Sequence, residues 1–296
     1  MHLIDLQFMG RPNMIGIYLL ETNEGPVLFE CGPHSCLPTL VKALDNLGYN
    51  TSDIKHLFLT HIHLDHAGAA WHFAAQGTTI YVHPKGLKHL IDPSRLVDSA
   101  TKIYGAQMQM LWGDFMPTPP SSIITAAHNQ VFEIGGESIK TLHSPGHAVH
   151  HIAWNTSAGT VCGDVAGIRL HNGPAVPPCP PPDVNFVDWK KSIDILLAEN
   201  TSTLFVAHFG KYENGIDHLK QLKHEIEVWD EFAFELYSRN PDPKSALAEF
   251  DSWIEKRMIH MTSNAELAQL YAIANPSWMS VHGIFRYYRK REELCG

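Results

Sequence analysis

The sequence is poor in cysteine and lacks the arrangements in which cysteine stabilises a fold. Its five cysteines are an odd number, and no two of them form a Cys-x-x-Cys pair. This pattern argues against a disulfide framework and against a four-cysteine zinc knuckle. The first residues also lack the basic stretch and the apolar stretch of a secretory signal peptide. We therefore expect reduced thiols and a cytoplasmic location.

Long apolar runs and an excess of positive charge are also missing. No window of about 18 consecutive apolar residues occurs, so we expect no transmembrane helix. The chain carries 22 Lys+Arg against 31 Asp+Glu, which gives a formal net charge of −9. An acidic protein has no general field that attracts nucleic acid or an anionic membrane. We therefore expect a small-molecule substrate, with neither nucleic acid nor membrane as a partner.

Histidine, by contrast, is abundant. The chain of 296 residues contains 20 histidines, almost as many as its lysines and arginines together. Imidazole is a common metal ligand and titrates near neutral pH, so this excess indicates metal ligation or proton chemistry. With 44% hydrophobic and 18% charged residues, the chain has the composition of a folded globular protein rather than a disordered one.

Hydrophobic periodicity predicts a mixed α/β fold over roughly the first two thirds of the chain. Short apolar runs predict strands at residues 15–20, 27–30, 54–60, 78–82, 130–134, 137–142, 151–154, 160–162 and 203–207. Helical spacing predicts helices at residues 37–47, 67–75, 85–112 and 188–197. This order suggests sheets packed together with helices outside. The proline-rich stretch at 173–183 cannot be a central strand and is either a rigid connector or a pocket wall.

From about residue 213 onward the pattern is helical throughout. An apolar stripe at helical spacing runs through residues 216–236 and is broken by Pro241 and Pro243. A capping box beginning at Ser263 predicts the start of a further helix. This helical part is a candidate surface for homodimer contacts, or a cover for a pocket.

Metal-binding side chains are concentrated directly after the predicted strand at 54–60. Four of them occur within six residues: His61, His63, Asp65 and His66. His61 and His63 alternate onto one side, while Asp65 and His66 lie around the following turn. One tetrahedral ion does not easily accept all four, whereas two adjacent ions do. Asp65 alone could cap a helix, but a cap does not explain three histidines at this spacing.

Three further ionisable residues follow predicted strands later in the chain: His147, Asp164 and His208. Each stands where a buried apolar strand gives way to a loop, which is where sheet proteins place their sites. Taken singly, each has an ordinary explanation as a core histidine or a turn aspartate. Together with the first motif, they form an ordered set of seven candidate ligands.

The ordered motifs His-x-His-x-Asp-His, Pro-Gly-His, Gly-Asp and a final strand-end His resemble the metal-binding pattern of the metallo-β-lactamase-fold hydrolases. The resemblance implies an αββα sandwich as the catalytic domain over residues 1–212, followed by a helical C-terminal extension over 213–296. It also implies the ligands of two ions: His61, His63 and His147 for the first, Asp65, His66 and His208 for the second, and Asp164 bridging both.

The layout is most similar to a prokaryotic subgroup with a helical C-terminal extension, and in general arrangement to the hydroxyacylglutathione hydrolases (glyoxalase II). Many relatives carry Asp-x-Gly after the early strand, whereas this chain has Glu30, Cys31 and Gly32. By analogy Glu30 is not a metal ligand, and the change concerns the neighbouring loop. His151, four residues after His147, is a candidate hydrogen-bond partner of a ligand.

The resemblance implies a dinuclear metal-dependent hydrolase of a small ester, thioester or lactone. A hydroxide bridging the ions would be the nucleophile, with Asp65 as the catalytic residue that orients it. Imidazole and carboxylate ligands suit zinc, with iron and manganese as alternatives. Two other chemistries stay open: a phosphodiesterase or phosphotriesterase, and a persulfide dioxygenase with a single iron. A non-catalytic metal-binding or interaction module would need a damaged ligand set, and the sequence shows none.

Overall fold

The computed structural model describes residues 1–295. Contacts group them into two compact units. The first consists of Met1–His143 and Ile152–Gly163, and the second of Ser144–His151 and the chain from Asp164 onward. The boundary predicted between residues 212 and 213 remains a prediction, because this grouping follows contacts rather than independent folding.

A mixed six-stranded sheet forms the first part of the first unit. Its strands are β1 (His2–Asp5), β2 (Gly16–Thr22), β3 (Gly25–Phe29), β4 (His56–Phe58), β5 (Thr79–Val82) and β6 (Ile123–Thr125). They lie in chain order, with β1 to β3 antiparallel and β3 to β6 parallel. The parallel part puts the carboxyl ends of β3, β4 and β5 at one edge of the sheet, where the predicted histidine motif begins.

The parallel strands are connected through helices. These are α1 (Leu37–Asn46), α2 (Leu64–Ala67), α3 (Ala70–Ala74), α4 (Leu87–Ile91), α5 (Ser94–Tyr104) and α6 (Met108–Trp112). The single helix predicted over 67–75 is wrong in detail, since α2 ends before Gly68 and α3 begins after it. A Cβ atom at Gly68 would lie 2.7 Å from the Cα of Pro33, so the chain makes a close backbone approach here.

A second set of strands in the first unit is antiparallel: β7 (Val131–Ile134), β8 (Glu137–His143), β9 (Ile152–Thr156) and β10 (Gly159–Val161). Gly135 and Gly136 form the tight turn that the sequence predicts between β7 and β8, with φ of 55° and 87°. The two sets of strands pack through aromatic rings. Phe58 on β4 makes edge contacts with Trp154 on β9 at 4.9 Å and with Phe132 on β7 at 6.0 Å.

The second unit contains a helix, a short hairpin and the helical C-terminal region. Its elements are α7 (Phe186–Ala198), β11 (Leu204–Val206), β12 (Gly210–Tyr212), α8 (Gly215–Arg239), α9 (Pro243–Thr262), α10 (Ala265–Ala274) and α11 (Ser277–Cys295). Helix α8 packs on α7, α9 and α11, and α9 also packs on α10 and α11. The core between α8 and α9 includes Trp229 and Phe250, whose rings are 5.8 Å apart. The predicted helical extension is therefore confirmed.

The start of α10 differs from the sequence prediction. Ser263, which was expected to begin a capping box, instead ends α9 in the left-handed conformation with φ of 51°. Asn264 caps α10, because its side-chain oxygen accepts hydrogen bonds from the amides of Glu266 at 2.9 Å and Leu267 at 3.1 Å. The helix break predicted at Pro241 and Pro243 is confirmed: α8 ends at Arg239 and α9 begins at Pro243.

Over residues 1–295, no helix combines the length and the apolar character needed to cross a bilayer.

Candidate metal centre

In the first unit, the four predicted ligands lie together after β4 and in the first turn of α2. The Nε2 atom of His61 is 3.0 Å from Nδ1 of His63, and Nε2 of His66 is 3.5 Å from Oδ2 of Asp65. The two pairs are adjacent, since the rings of His61 and His66 are 4.0 Å apart. His61 and His66 are fully buried, whereas 23% of the Asp65 side chain is exposed. The strand-end motif thus forms one cluster with Asp65 at its accessible edge.

Glu30, which follows β3, completes this cluster. Its side chain is buried, and its backbone has a φ of 66°, which is uncommon for a residue other than glycine. The carboxylate accepts hydrogen bonds from the amide of Thr60 at 3.2 Å and from the Thr60 hydroxyl, and it lies 3.2 Å from Nδ1 of His66. Glu30, His61 and His66 each offer a ligand atom, and these atoms lie within 4.8 Å of one another. This group could hold a metal ion.

The contacts of Glu30 determine which ring nitrogens carry protons. A carboxylate only accepts hydrogen bonds, so Nδ1 of His66 donates to Glu30 and Nε2 is the nitrogen left for a metal. The Thr60 hydroxyl donates to Glu30, so it accepts from Nδ1 of His61 at 2.9 Å, and Nε2 of His61 also carries a lone pair. Lone-pair Nε2 atoms are the form in which histidine binds metal.

In the second unit, Asp164 lies between the other two predicted ligands. Its Oδ2 atom is 3.3 Å from Nε2 of His147, and its Oδ1 atom is 3.4 Å from Nε2 of His208. All three residues are buried. One carboxylate oxygen therefore faces each imidazole, which is the arrangement that a bridging ligand requires. The structure brings the predicted ligands together within each unit, and their role as ligands remains a prediction.

Local structure fixes the position of His147 in the Pro-Gly-His motif. Gly146 has a φ of 146°, and a Cβ atom there would lie 2.3 Å from the Cα of Trp189 on α7, so only glycine fits. The Nδ1 atom of His147 lies 2.9 Å from the carbonyl oxygen of Pro178. Because a carbonyl only accepts, Nδ1 donates to it, and Nε2 is the nitrogen that faces Asp164.

His151 supports the second cluster through the backbone. It is fully buried, and its Nδ1 atom lies 2.9 Å from the Ser144 hydroxyl. Its Nε2 atom accepts hydrogen bonds from the amides of Asp164 at 3.2 Å and Val165 at 3.3 Å. His151 therefore holds the chain that carries Asp164, rather than contacting the carboxylate itself through these bonds.

An aromatic cluster in the first unit consists of Phe8, Tyr104 and Trp112. The Trp112 ring stacks on Phe8 at 5.3 Å and meets the edge of Tyr104 at 5.1 Å. The end of α6 is held in place because the hydroxyl of Ser35 donates to the carbonyl of Leu111 at 2.6 Å. Burial, with a smaller effect from the charge of Asp65, raises the pKa of Tyr104. The phenol thus stays protonated and lies within the field of Asp65.

The buried cysteines do not offer an alternative nucleophile. Burial raises the pKa of the thiols of Cys31, Cys162 and Cys179. Since the thiolate is the reactive form, these three side chains are inert near neutral pH.

Comparison with known proteins gives a consistent family assignment. The family model of the metallo-beta-lactamase superfamily matches residues 10–208. The metallo-beta-lactamase fold-containing protein ST1585 of Sulfurisphaera tokodaii is 25% identical over 228 residues, which cover 73% of this chain and 82% of that protein. The beta-lactamase-like protein 2 homolog of Drosophila melanogaster is 24% identical over 219 residues, which cover 71% of this chain and 65% of that protein.

Solved structures show the same fold. The metallo-beta-lactamase family protein TTHA1429 from Thermus thermophilus matches with a TM-score of 0.68 at 18% identity, covering 98% of this chain and 93% of that one. The archaeal protein ST1585 from Sulfolobus tokodaii matches with a TM-score of 0.62 at 24% identity, covering 74% of this chain and 84% of that one. These likenesses confirm the predicted fold class. The match to TTHA1429 extends over the helical C-terminal region as well.

Proposed function

The chain belongs to the metallo-beta-lactamase superfamily, and we propose that it is a dinuclear metal-dependent hydrolase of a small ester, thioester or lactone. The observation that carries the proposal is the pairing of donor atoms within each unit. The paired residues are His61 with His63 and Asp65 with His66 in the first unit, and Asp164 with His147 and with His208 in the second.

The spacing of these donors fits a transition metal. Donor atoms within the pairs are 3.0 to 3.5 Å apart. Nitrogen and oxygen ligands about 2.0–2.1 Å from a tetrahedral ion lie about 3.3 Å from one another. Three of the histidines, His61, His66 and His147, also have Nδ1 held by an oxygen atom, which leaves Nε2 for the metal. The donor set therefore suits zinc, iron or manganese, with zinc as our first choice.

We assign the donors to two ions in the order that the family pattern implies. The assignment is His61, His63 and His147 for the first ion, Asp65, His66 and His208 for the second, and Asp164 for both. Glu30 is placed outside the ligands, because its carboxylate is already occupied by Thr60 and His66. Its role is to hold the His66 ring and, through Thr60, the His61 ring.

When bound, two divalent ions supply an activated water as the nucleophile and polarise the carbonyl of the substrate. Asp65, at the accessible edge of its cluster, would orient that water by accepting a hydrogen bond from it. Tyr104 keeps its proton and can donate a hydrogen bond to an oxygen of the substrate.

The aromatic cluster of the first unit, whose Tyr104 lies in the field of Asp65, favours an apolar small substrate. Phe8, Tyr104 and Trp112 offer ring surface, and Met9 and Met110 nearby in sequence are exposed apolar side chains. Methionine and aromatic surfaces suit acyl chains and lactone rings of varied shape. With a net charge of −9, the chain lacks the field that a polynucleotide substrate would need.

The proposal is tested by metal analysis and a substrate panel on the same preparations. We expect about two metal ions per chain in protein purified without added metal, and hydrolysis of thioesters or lactones. His61→Ala should lose metal and activity. His128→Ala, which removes an exposed histidine of the first unit, is the matched control and should change neither. Less than one ion per chain, or activity that survives His61→Ala, would overturn the proposal.

Further substrates in the panel distinguish the proposed reaction from the two alternative chemistries. Phosphodiesters and phosphotriesters test a phosphate-ester hydrolase with the same metals. Oxygen consumption with a persulfide tests a mononuclear iron dioxygenase, for which a single iron per chain is expected. A preference for phosphate esters would replace the proposed reaction but keep two metal ions, whereas persulfide oxidation with one iron per chain would replace both the reaction and the dinuclear site.

A further inference from the structure

The proline-rich loop of residues 173–183 cannot hold its own backbone in place. Six of its eleven residues are proline, which has no N–H group, so its carbonyls depend on donors from elsewhere. In the second unit, the amide of Ile168 donates to the carbonyl of Val176 and the Arg169 side chain to that of Gly173, both at 2.9 Å, and side chains of the C-terminal helices donate to several others. The Tyr271 hydroxyl donates to the carbonyl of Pro174 at 2.6 Å, and the Lys290 ammonium donates to that of Pro182 at 2.9 Å. The helices thus hold the loop near both of its ends.

The middle of the loop is held at the junction of α10 and α11. The Asn275 side-chain amide donates to the carbonyl of Pro177 at 3.2 Å, and its oxygen accepts from the Ser280 hydroxyl at 3.1 Å. Gly283 on α11 lies against the loop, since a Cβ atom there would be 2.0 Å from the carbonyl oxygen of Cys179. Pro178 lies between Pro177 and Cys179, the two residues that these contacts hold in place.

The carbonyl of Pro178 is the acceptor for Nδ1 of His147, at 2.9 Å. His147 is buried, and its Nε2 atom faces Asp164 at 3.3 Å. An imidazole held by a hydrogen bond at Nδ1 takes its ring orientation from that acceptor. A shift of the Pro178 carbonyl would therefore rotate the Nε2 lone pair of His147 away from its present direction.

We propose that the C-terminal helices position the metal ligand His147 through the proline-rich loop, with Asn275 as the positioning residue. This inference rests on the proposed function, because it takes His147 as a ligand. Removing a group that orients a metal ligand typically weakens metal binding by about 10–100-fold. Asn275 holds the carbonyl of Pro177, one residue before the Pro178 carbonyl that accepts from His147. We therefore expect metal binding to weaken by the lower end of that range, about tenfold.

The test is metal affinity of the full chain, measured by competition with a chelator, together with the visible spectrum of the cobalt-substituted protein. Asn275→Asp keeps an acceptor for Ser280 but removes the amide that donates to Pro177. We expect about tenfold weaker binding of one ion and an altered cobalt spectrum. Tyr271→Phe keeps the buried ring but removes the bond to Pro174 and the bond that the hydroxyl accepts from the amide of Leu170 at 2.9 Å, and it should shift both measurements in the same direction.

Tyr237→Phe is the matched control, because its hydroxyl joins α8 to α11 through Glu292 at 2.6 Å rather than holding the loop. It should lower the melting temperature without changing metal affinity. Wild-type affinity and spectrum in both Asn275→Asp and Tyr271→Phe would overturn the inference, as would an equal loss of affinity in Tyr237→Phe. If Asn275→Asp does not fold, Tyr271→Phe decides. If the wild type binds no metal, or His147→Ala keeps both ions, the proposed function itself fails.

Discussion

Glu30→Gln is the substitution that most sharply tests how the first cluster is organised. The change keeps the size of the side chain and replaces one carboxylate oxygen by an NH2 group. In the wild type, the carboxylate has three donors around it: the Thr60 amide, the Thr60 hydroxyl and Nδ1 of His66. The Gln side chain keeps one acceptor oxygen and presents two hydrogens in place of the other. At least one of the three buried donors is therefore left without an acceptor.

The size of the effect follows from those contacts. Hydrogen bonds to a charged group contribute about 1.5–3 kcal/mol each, and a buried donor left unsatisfied costs about 1–3 kcal/mol. Since Thr60 and His66 are fully buried, water cannot replace the lost acceptor. We expect the free energy of unfolding of the metal-free protein to fall by about 2–4 kcal/mol. Metal affinity should fall by about 10–100-fold, because the His66 ring loses its fixed orientation.

The assay is thermal unfolding of the metal-free protein, followed by chelator competition for metal. Glu133→Gln is the control, since Glu133 is an exposed residue of the first unit that accepts a bond from Ser138 at 2.7 Å. It should change the free energy of unfolding by less than about 0.5 kcal/mol. If Glu30→Gln melts at the same temperature as Glu133→Gln and binds metal as the wild type does, the account of the cluster given above is wrong.

Three other predictions concern pH, the nucleophile and the substrate. Burial lowers the pKa of His218 to about 4, below its usual 6.5, so between these two values the unfolded chain takes up a proton that the folded chain does not. His218 should contribute about 3 kcal/mol to the stability that the wild type loses as pH falls from about 6.5 to 4, and His218→Gln should reduce the slope of a pH-resolved unfolding series by that amount; an equal slope would refute it. Asp65→Asn should fold normally by circular dichroism and lower kcat by about 10²–10⁴-fold, whereas wild-type turnover would exclude the role given to Asp65. Tyr104→Phe should lower kcat/KM for lactones or thioesters by about 10²-fold with unchanged metal content; an unchanged kcat/KM would remove Tyr104 from the mechanism.

The sequence predicted well those features that depend on neighbouring residues. The cluster around His61 and His66 could be anticipated because the spacing of the motif after a strand already places its side chains together. The hairpin turn at Gly135 and Gly136 could be predicted for the same reason, because it depends only on adjacent residues. By contrast, β1 and β6 were not predicted, since four- and three-residue strands give too little periodicity to detect.

Features that depend on distant parts of the chain could not be predicted. Glu30 reaches Thr60 and His66 only because β3 pairs with β4, and no pattern within either strand reveals that pairing. The link between Asn275 and Pro177 joins residues 98 positions apart. The sequence left the proline-rich loop open as a connector or a pocket wall, and the hydrogen bond from His147 to Pro178 is a contact that only the folded chain displays.

We propose that this chain binds two metal ions through the seven residues assigned to them. Its most direct test is an anomalous difference map from crystals of the protein as purified, collected at the zinc, iron and manganese edges. The account predicts two peaks about 3.5–4 Å apart. Their ligands should be His61, His63 and His147 for one peak, Asp65, His66 and His208 for the other, and Asp164 for both. No anomalous peak at these residues, or a single peak held by the ligands of one unit alone, would contradict the account.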